Sequence, residues 1–374
     1  MQTLRSTKPG AADWLPLCGD DCPEKRIDQS IQMRVLDPLK DGAWDRMIAQ
    51  HPDAGCFHTS AWARVLRQTY DHAPFYLQFS RGGRLAALVP LMEVRSRLTG
   101  CRGVCLPFSD VCEPLFFDRQ TIDTVKNQIA TLARQRRWKH VEVRGGLSFR
   151  LSAEPAAQFH GHTLDLRQSA EQLFASFASA VRRAIRKAER SGVRACIEHH
   201  RQGIVDFYRL HVRTRRRQGL PPQPFTFFAN IYEHIIKPGL GFIIVARHNS
   251  KPIAAAVFFR FAGNAIYKYG ASDKRIQEIR ANNLVIWRGI QFLADSGATT
   301  LHFGRTAREN DGLRRFKLSW NTTEEIIPYF RADPSGARSF LAADYHSGFH
   351  KKVFGKLPLM LNRLAGSLIY PHLD

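Results

Sequence analysis

Two periods of hydrophobic residue run along this chain, and they occur in the same order twice. In residues 59–70, TSAWARVLRQTY, Trp62, Val65 and Leu66 share one face behind Thr59 or Ser60, the pattern of a capped amphipathic helix. Two β-like runs then flank Gly82-Gly83 in FYLQFSRGGRLAALVPLMEV, the mark of a hairpin. A further strand, GVCLPF, precedes a helix over about residues 120–136, with Ile122, Val125, Ile129 and Leu132 at helical spacing. KHVEVRGG closes the set as a strand. From residue 241 the order returns: GFIIVARHNSKPIAAAVFFRFAGNAIYKYGAS holds two runs around Asn249-Ser250 and then a third. A helix over about 282–296 follows, ended by Gly297 in the C′ position, and then the strand TTLHFGRT. Identity between the copies is low, but the shared order predicts a duplicated α/β unit.

Two helices are predicted between the copies. SAEQLFASFASAVRRAIRKAERSG reads as one helix, opened by a capping box of Ser169 and Gln172. Leu173, Phe177, Val181 and Ile185 make its buried stripe, and Arg182, Arg183, Arg186, Lys187 and Arg190 spread round the other sides. The second helix, about 203–218, turns Ile204, Phe207, Tyr208 and His211 inward and stops at Gly219 and Pro221-Pro222. The predicted class is α/β (α+β), with two similar domains in tandem and a cleft between them. The expected boundaries are a flexible leader at 1–30, domains at 31–160 and 161–335, and a basic amphipathic tail at 336–374. The tail is expected to dock on the protein. Peripheral contact with an anionic membrane surface is the alternative.

Composition adds partners to this picture. The chain has 374 residues, a length that favours two domains, and a net charge of +22 from 55 Lys+Arg against 33 Asp+Glu. Such a charge favours anionic partners: RNA, nucleotide diphosphates or an anionic membrane, unless it is simply a solvated basic surface. The seven cysteines form no C-x-x-C pair, and the spacings Cys18/Cys22 and Cys101/Cys105 lack histidines at zinc spacing. Reduced thiols and no metal are expected. With no apolar leader and no spanning run, the expected location is the cytoplasm, or peripherally the inner face of the cytoplasmic membrane.

One stretch resists a structural reading. NDGLRRFKLSW, residues 310–320, looks like a short helix whose apolar residues make no clean stripe, and Lys317 sits between Phe316 and Leu318. Either the lysine lays its stem on the protein with its ammonium in water, or it points into a site that needs a fixed positive charge.

A resemblance favours the site. FHTSAWARVLRQTY, AALVPLMEVRS and LPFSDVCEPL are similar to the N-terminal half of FemAB-like proteins. VRRAIRKAERSGV, HVRTRRRQGLP, YKYGAS, NNLVIWRGIQFLADSGATTLHFGRT and GLRRFKLSWN look like the second half, in the right order, over roughly residues 45–330. That resemblance implies two fused GNAT-like domains. Some members move an amino acid from aminoacyl-tRNA to an amine of a peptidoglycan precursor. Others, linked to exopolysaccharide clusters, are described as GNAT-like or BioF2-like acetyltransferases. The reaction is amine attack on an ester or thioester, and a fixed cation near the developing oxyanion lowers its barrier. Phe316-Lys317 match the family's Phe-Lys pair, which makes Lys317 the candidate oxyanion stabiliser and Phe316 a packing wall. Asp110 matches the carboxylate of the substrate cleft and is the candidate to bind the acceptor amine or take its proton, unless it only caps a turn. Cys112 and Glu113 depart from the family pattern there. Arg217 matches an arginine that would hold phosphate groups, with Arg182, Arg183, Arg186 and Lys187 as a second basic set. Tyr267 and Tyr269, at i and i+2, are expected on one strand face, against the substrate or in the core. His211 is expected to pack or to bond a backbone group.

No cofactor is expected to be tightly bound; the donor is aminoacyl-tRNA or acyl-CoA. A coenzyme-A-using GNAT normally has a glycine-rich R/Q-x-x-G-x-G/A loop. DKRIQEIRANN stands in its place, which tilts the expectation away from acyl-CoA and toward an aminoacyl-tRNA or an unusual donor. The acceptor would be an anionic small-molecule or lipid-linked envelope precursor. The alternatives are an acyl-CoA-dependent N-acetyltransferase acting on an amino sugar or lipid-linked precursor, and a non-catalytic RNA-binding protein. The last lacks an RRM, KH or zinc-knuckle signature.

Overall fold

A computed structural model describes residues 30–146, 149–151, 154–334 and 353–374. The Cys18/Cys22 spacing, nearly all of the leader and the first part of the tail lie outside the described residues. The first half runs β1 (Ile31–Leu36), α1 (Trp44–Ile48), α2 (Ser60–Tyr70), β2 (Ala73–Pro74), β3 (Tyr76–Arg81), β4 (Arg84–Val89), β5 (Met92–Ser96), β6 (Gly100–Cys105), β7 (Leu115–Phe116), α3 (Ile122–Gln135) and β8 (Val141–Arg144). The second half opens with β9 (Ala157–Asp165), α4 (Ala170–Ser176), α5 (Ser179–Arg190), β10 (Arg194–Glu198), α6 (Arg201–Arg217) and α7 (Phe225–Ile231). It continues with β11 (Gly241–His248), β12 (Lys251–Phe261), β13 (Asn264–Ser272), α8 (Ala281–Asp295), β14 (Thr300–His302), β15 (Thr306–Ala307), α9 (Asp311–Leu318), β16 (Thr323–Ala332) and α10 (Leu359–Ile369).

Local chemistry sets these boundaries. The Thr59 side chain accepts from the Trp62 N–H and starts α2. Gly82 and Gly83, at φ 55° and 76°, turn β3 into β4 as a two-residue hairpin requires. Asn249 and Ser250 do the same for β11 and β12, at φ 49° and 64°. Gly297, at φ 77°, ends α8.

The duplication is visible in the pairing. In each half a strand, a helix and a parallel strand follow one another: β6-α3-β8 and β13-α8-β14. One long sheet carries both units, in the order β10-β11-β12-β13-β14-β9-β16-β8-β6-β5-β2. β16 joins the halves, pairing with β9 over Thr323–Tyr329 and with β8 over Tyr329–Ala332. α4, α5 and α8 cover one face of the second half, over Leu173, Ile185, Trp287 and Trp320. Its other face, with α6 and α7, shares a core with the first half. There Trp62 of α2 meets Phe227 and Phe259, at ring distances of 5.9 and 5.8 Å.

Three expectations are corrected. The run after Gly83 is two strands, not one. β4 joins a four-stranded sheet (β1-β3-β4-β7) and β5 joins the long sheet, parted at Pro90-Leu91, where proline cannot donate to a ladder. The strand expected over 103–108 spans Gly100–Cys105. The helix expected from residue 169 is two helices, because Phe177 and Ala178 are extended (ψ 150° and 143°). The break lets the Ala178 N–H donate to Ser319 O, 3.0 Å away at the end of α9. The stripe still holds, with Leu173, Phe177, Val181 and Ile185 all buried. Among the described residues no helix is long and apolar enough to cross a membrane.

Candidate active site

β13 and β14 pair only over Asn264–Ile266 and Thr300–His302, and β13 then runs on to Ser272. The strands fork there. At the fork β13 carries a bulge: Phe258 faces Tyr267 and Val257 faces Tyr269, which leaves Lys268 without a partner residue on β12. The bulge overturns the expectation of two tyrosines on one face. Tyr267 packs on Phe258 and Phe303 in one core. Tyr269 packs among Phe228, Phe207 and Phe259 in the other.

Lys268 is thereby aimed at the first half of the chain. Its buried ammonium donates to Asp110 Oδ2 and to Phe108 O, both at 2.6 Å. Phe108 holds φ 60° on the loop after β6. Burial alone would push the Asp110 carboxyl up, but Lys268 and Arg305 outweigh it and hold it well below the ordinary carboxylate range. Burial pulls the Lys268 ammonium down against the attraction of Asp110. At 2.6 Å we read the pair as ionised. Asp110 is therefore a weak proton acceptor.

Lys317 reaches the same place from α9. The Asn310 side chain caps that helix by accepting from the Leu313 N–H. Lys317 is the buried residue of the helix, 4% exposed, while Leu313 and Leu318 are more than a third exposed. Its ammonium is not in water. It donates to Gly304 O at 2.6 Å and Arg305 O at 3.2 Å. Asp110 Oδ1 accepts the Arg305 N–H at 3.2 Å. Asp110 and Lys317 thus grip the two sides of the Gly304-Arg305 turn, where Gly304 has φ 71°. Burial lowers the Lys317 ammonium to about 8, with Asp110 opposing and Lys268 reinforcing the shift. Phe316 turns toward Trp320, ring centroids 6.2 Å apart, at the edge of the second core.

A cleft of about 370 Å³ opens beside this cluster, between the halves. His58 and Glu113 line it from the first half, and Thr163, Ile266, His302 and Glu325 from the second. His302 Nδ1 accepts the Gly304 N–H at 3.0 Å, so the neutral ring carries its proton on Nε2. That atom is buried without a hydrogen-bond partner, and Glu325 Oε1 lies 4.0 Å away. Burial, with Lys317 adding to it, lowers His302 to about 4 despite Asp110. Burial raises both Glu113 and Glu325. Each carboxylate side chain lies over glycine. A Cβ on Gly145 would sit 2.5 Å from Glu113 Oε1, and one on Gly161 would sit 2.9 Å from Glu325 Cγ.

The remaining candidates lie elsewhere. Arg217 is exposed at the end of α6 and donates to Ser272 O at 3.4 Å. Ser272 is the last residue of β13, roughly 13 Å along the strand from Lys268. Thr214 Oγ1 bonds the Ser272 backbone beside it, at 3.3 Å. Asn282 of α8 donates to the Ser272 hydroxyl at 3.1 Å, so Arg217 lies near the start of α8, at the far end of the fork. Arg182, Arg183, Arg186 and Lys187 lie along α5 away from its buried residues, and Arg186 stacks over Phe174. Among the described residues they share no hydrogen bond or ion pair with Asp110 or Lys317. His211 is buried and bonds the Gln223 side chain at 3.0 Å, not a backbone group. Burial, with Arg215 beside it, lowers His211 to about 3. His140, Glu142 and Asp374 bring possible metal-ligand atoms within 4.8 Å of one another, but arginines already engage both carboxylates. Lys268, His302 and Glu325 escaped the sequence reading. A lysine inside the apolar run AIYKYGA was the one available signal for Lys268.

Residues 175–318 match the Acetyltransferase (GNAT) domain family. No curated relative matches the sequence. Among solved structures, FemX is similar with a TM-score of 0.63 at 13% identity, covering 79% of this chain and 96% of that one. A tandem GNAT protein from the clavulanic acid biosynthesis pathway gives 0.52 at 13%, covering 82% and 99%. L-PGS from Bacillus licheniformis gives 0.51 at 14%, covering 87% and 97%. These likenesses show the fold, and the domain match supports the chemistry: the chain is a GNAT-fold acyltransferase, similar in fold to FemX. The domain match favours an enzyme over the reading as a non-catalytic RNA-binding protein.

Proposed function

We propose that the protein forms an amide by attack of an acceptor amine on an activated acyl or aminoacyl donor, in the modification of a cell-envelope precursor. The carrying observation is Lys317, a buried ammonium near neutrality at the open fork of β13 and β14. A carbonyl placed there would meet a charge already oriented by two backbone carbonyls, so little reorganisation is needed as the oxyanion forms. Asp110, held by Lys268, positions the Gly304-Arg305 turn on which Lys317 rests. The acceptor amine enters by the cleft. Glu325 and Glu113, raised by burial, are better placed than Asp110 to take its proton. The donor extends along β13, its phosphates toward Arg217 and the start of α8. FemX supports envelope chemistry by analogy of fold.

An acyl-CoA-dependent N-acetyltransferase is the second reading. The acetyltransferase domain match favours it, since GNAT domains take acyl-CoA as donor. The test offers purified protein radiolabelled acetyl-CoA and charged tRNAs separately, with envelope precursors as acceptors. Transfer from one donor, lost in Lys317→Ala, is expected. Transfer from neither by folded protein would overturn both readings.

A further inference from the structure

The last described segment presents an apolar face to solvent instead of burying it. α10 is held by its small and polar side. Asn362 is fully buried and donates to Leu220 O and Phe354 O, at 3.5 and 3.4 Å. Gly366 lies so close to Pro222 that a Cβ would sit 1.9 Å from its carbonyl oxygen. Just past the helix, Tyr370 donates to Pro221 O and accepts from Arg215. The opposite side carries Met360, Leu361, Leu364 and Leu368, which are 81, 52, 57 and 64% exposed. At about 100° per residue these four positions fall within one arc of roughly 100°. A core-facing helix would do the reverse.

The chemistry around the arc selects a partner. Between residues 353 and 373 there is no carboxylate, while Lys356 and Arg363 are both exposed, and Lys351 and Lys352 precede them in the sequence. Asp374 is engaged by Arg102 at 2.7 Å. His372 bonds Ser96 and Thr99, which flank Leu98 at the turn between β5 and β6. Leu98 is itself 78% exposed, beside exposed Arg97. An apolar stripe with cationic flanks and no unpaired carboxylate complements an anionic lipid interface. A second copy of the chain fits poorly. An 11-residue helix is only ~16 Å long, and one face of it falls far short of the ~800 Å² per partner of a stable interface.

We propose that α10 seats the enzyme peripherally on an anionic phospholipid surface, with Met360, Leu361, Leu364 and Leu368 in the acyl boundary. This inference does not depend on the identity of the acyl donor or acceptor. The full chain is sedimented with phosphatidylcholine vesicles with and without phosphatidylglycerol. Wild type should pellet with the phosphatidylglycerol vesicles, and Leu364→Glu/Leu368→Glu should cut the partition at least about tenfold at an unchanged melting temperature. Met360→Glu, at the most exposed position, supplies a second variant that spares the packed face. No pelleting, equal pelleting of wild type and both variants, or a dimer in light scattering that the variants dissociate would each overturn the proposal.

Discussion

The two strand-helix-strand units begin alike and end differently. In the first, β6 and β8 pair over Gly103–Cys105 and Val141–Val143, and then they part. The gap is filled from within. Cys112 donates its N–H to Arg144 O at 2.9 Å. The Arg144 guanidinium, fully enclosed, pairs with Glu142 and donates to Leu106 O and Ser109 O. Tyr329 closes the plug by donating to Asp110 O at 2.7 Å. In the second unit β13 and β14 part in the same way, but the gap receives the Asp110 carboxylate from the first unit's plug and Lys317 from α9. One fork is a sealed structural joint and the other holds buried charge beside a cleft. Duplication allows this division, because the sealed fork supplies a rigid mount for the residue that enters the open one.

The comparison breaks most visibly at its sealed side. Arg144→Ala takes from buried Glu142 one of its two arginine partners, leaving Arg331, and removes one donor each from Leu106 O and Ser109 O, which keep Ser109 and Tyr329. It is expected to cost about 3–5 kcal/mol, read by denaturant unfolding. Lys317→Met should do the opposite. Transfer falls about 10²–10³-fold, as for loss of one oxyanion donor, while stability falls less than in Arg144→Ala, because relief of a buried charge offsets the donors lost at Gly304 O and Arg305 O. If Arg144→Ala were nearly neutral and Lys317→Met strongly destabilising, the structural and functional roles would be reversed.

A pH profile sharpens the contrast. The folded Lys317 value of about 8 lies below the ordinary 10.5. Between those limits the unfolded chain binds more protons, so the wild type gains stability as pH rises from about 8 to 10.5. The gain is up to about 3 kcal/mol, and Lys317→Met should lack it. Activity runs the other way. The oxyanion needs the charged form, so transfer should decline above about pH 8, and Lys317→Arg should move that limb upward. A stability gain with no matching loss of activity would leave Lys317 buried but idle.

How far these roles could be read from sequence depended on how local their causes are. Hairpin turns at Gly82-Gly83 and Asn249-Ser250, most helix ends and the helix-then-strand close of each unit are local, and these could be read, unlike the split of the run after Gly83 into β4 and β5. Lys317 could be singled out because NDGLRRFKLSW frames it: a lysine where a helix shows no apolar stripe. The bulge at Lys268 could not. AIYKYGAS alternates as a regular strand would, and only pairing with β12 shows the extra residue. The break at Phe177-Ala178 likewise answers to Ser319, far away in sequence. The positions of Glu325 over Gly161 and of Glu113 over Gly145 are set by strand pairing and close contacts between distant segments.

The smallest expected effect lies at the helix starts that follow the two forks. α3 carries Asp123 in its first turn, and Asp118 caps the turn of 3₁₀ helix before it. Its positive end is thus occupied by the protein's own carboxylates. α8 begins at Arg280 and Ala281 with no side-chain cap and no acidic residue in its first turn. Asn283 N–H donates back to Arg280 O, but no side chain caps the turn, and Arg217 stands near it through Ser272, whose hydroxyl accepts from Asn282. Arg217→Ala should therefore raise the donor KM about tenfold, the ~1.4 kcal/mol of one exposed charge-assisted contact, and leave kcat unchanged. Arg217→Lys should restore only part of the loss, because a point charge cannot fork two phosphate oxygens. Arg186→Gln, on α5, should change neither constant. If Arg217→Ala lowered kcat instead, the far end of β13 would belong to the reacting centre, and the division of the open fork into a charged centre and a donor arm would fail.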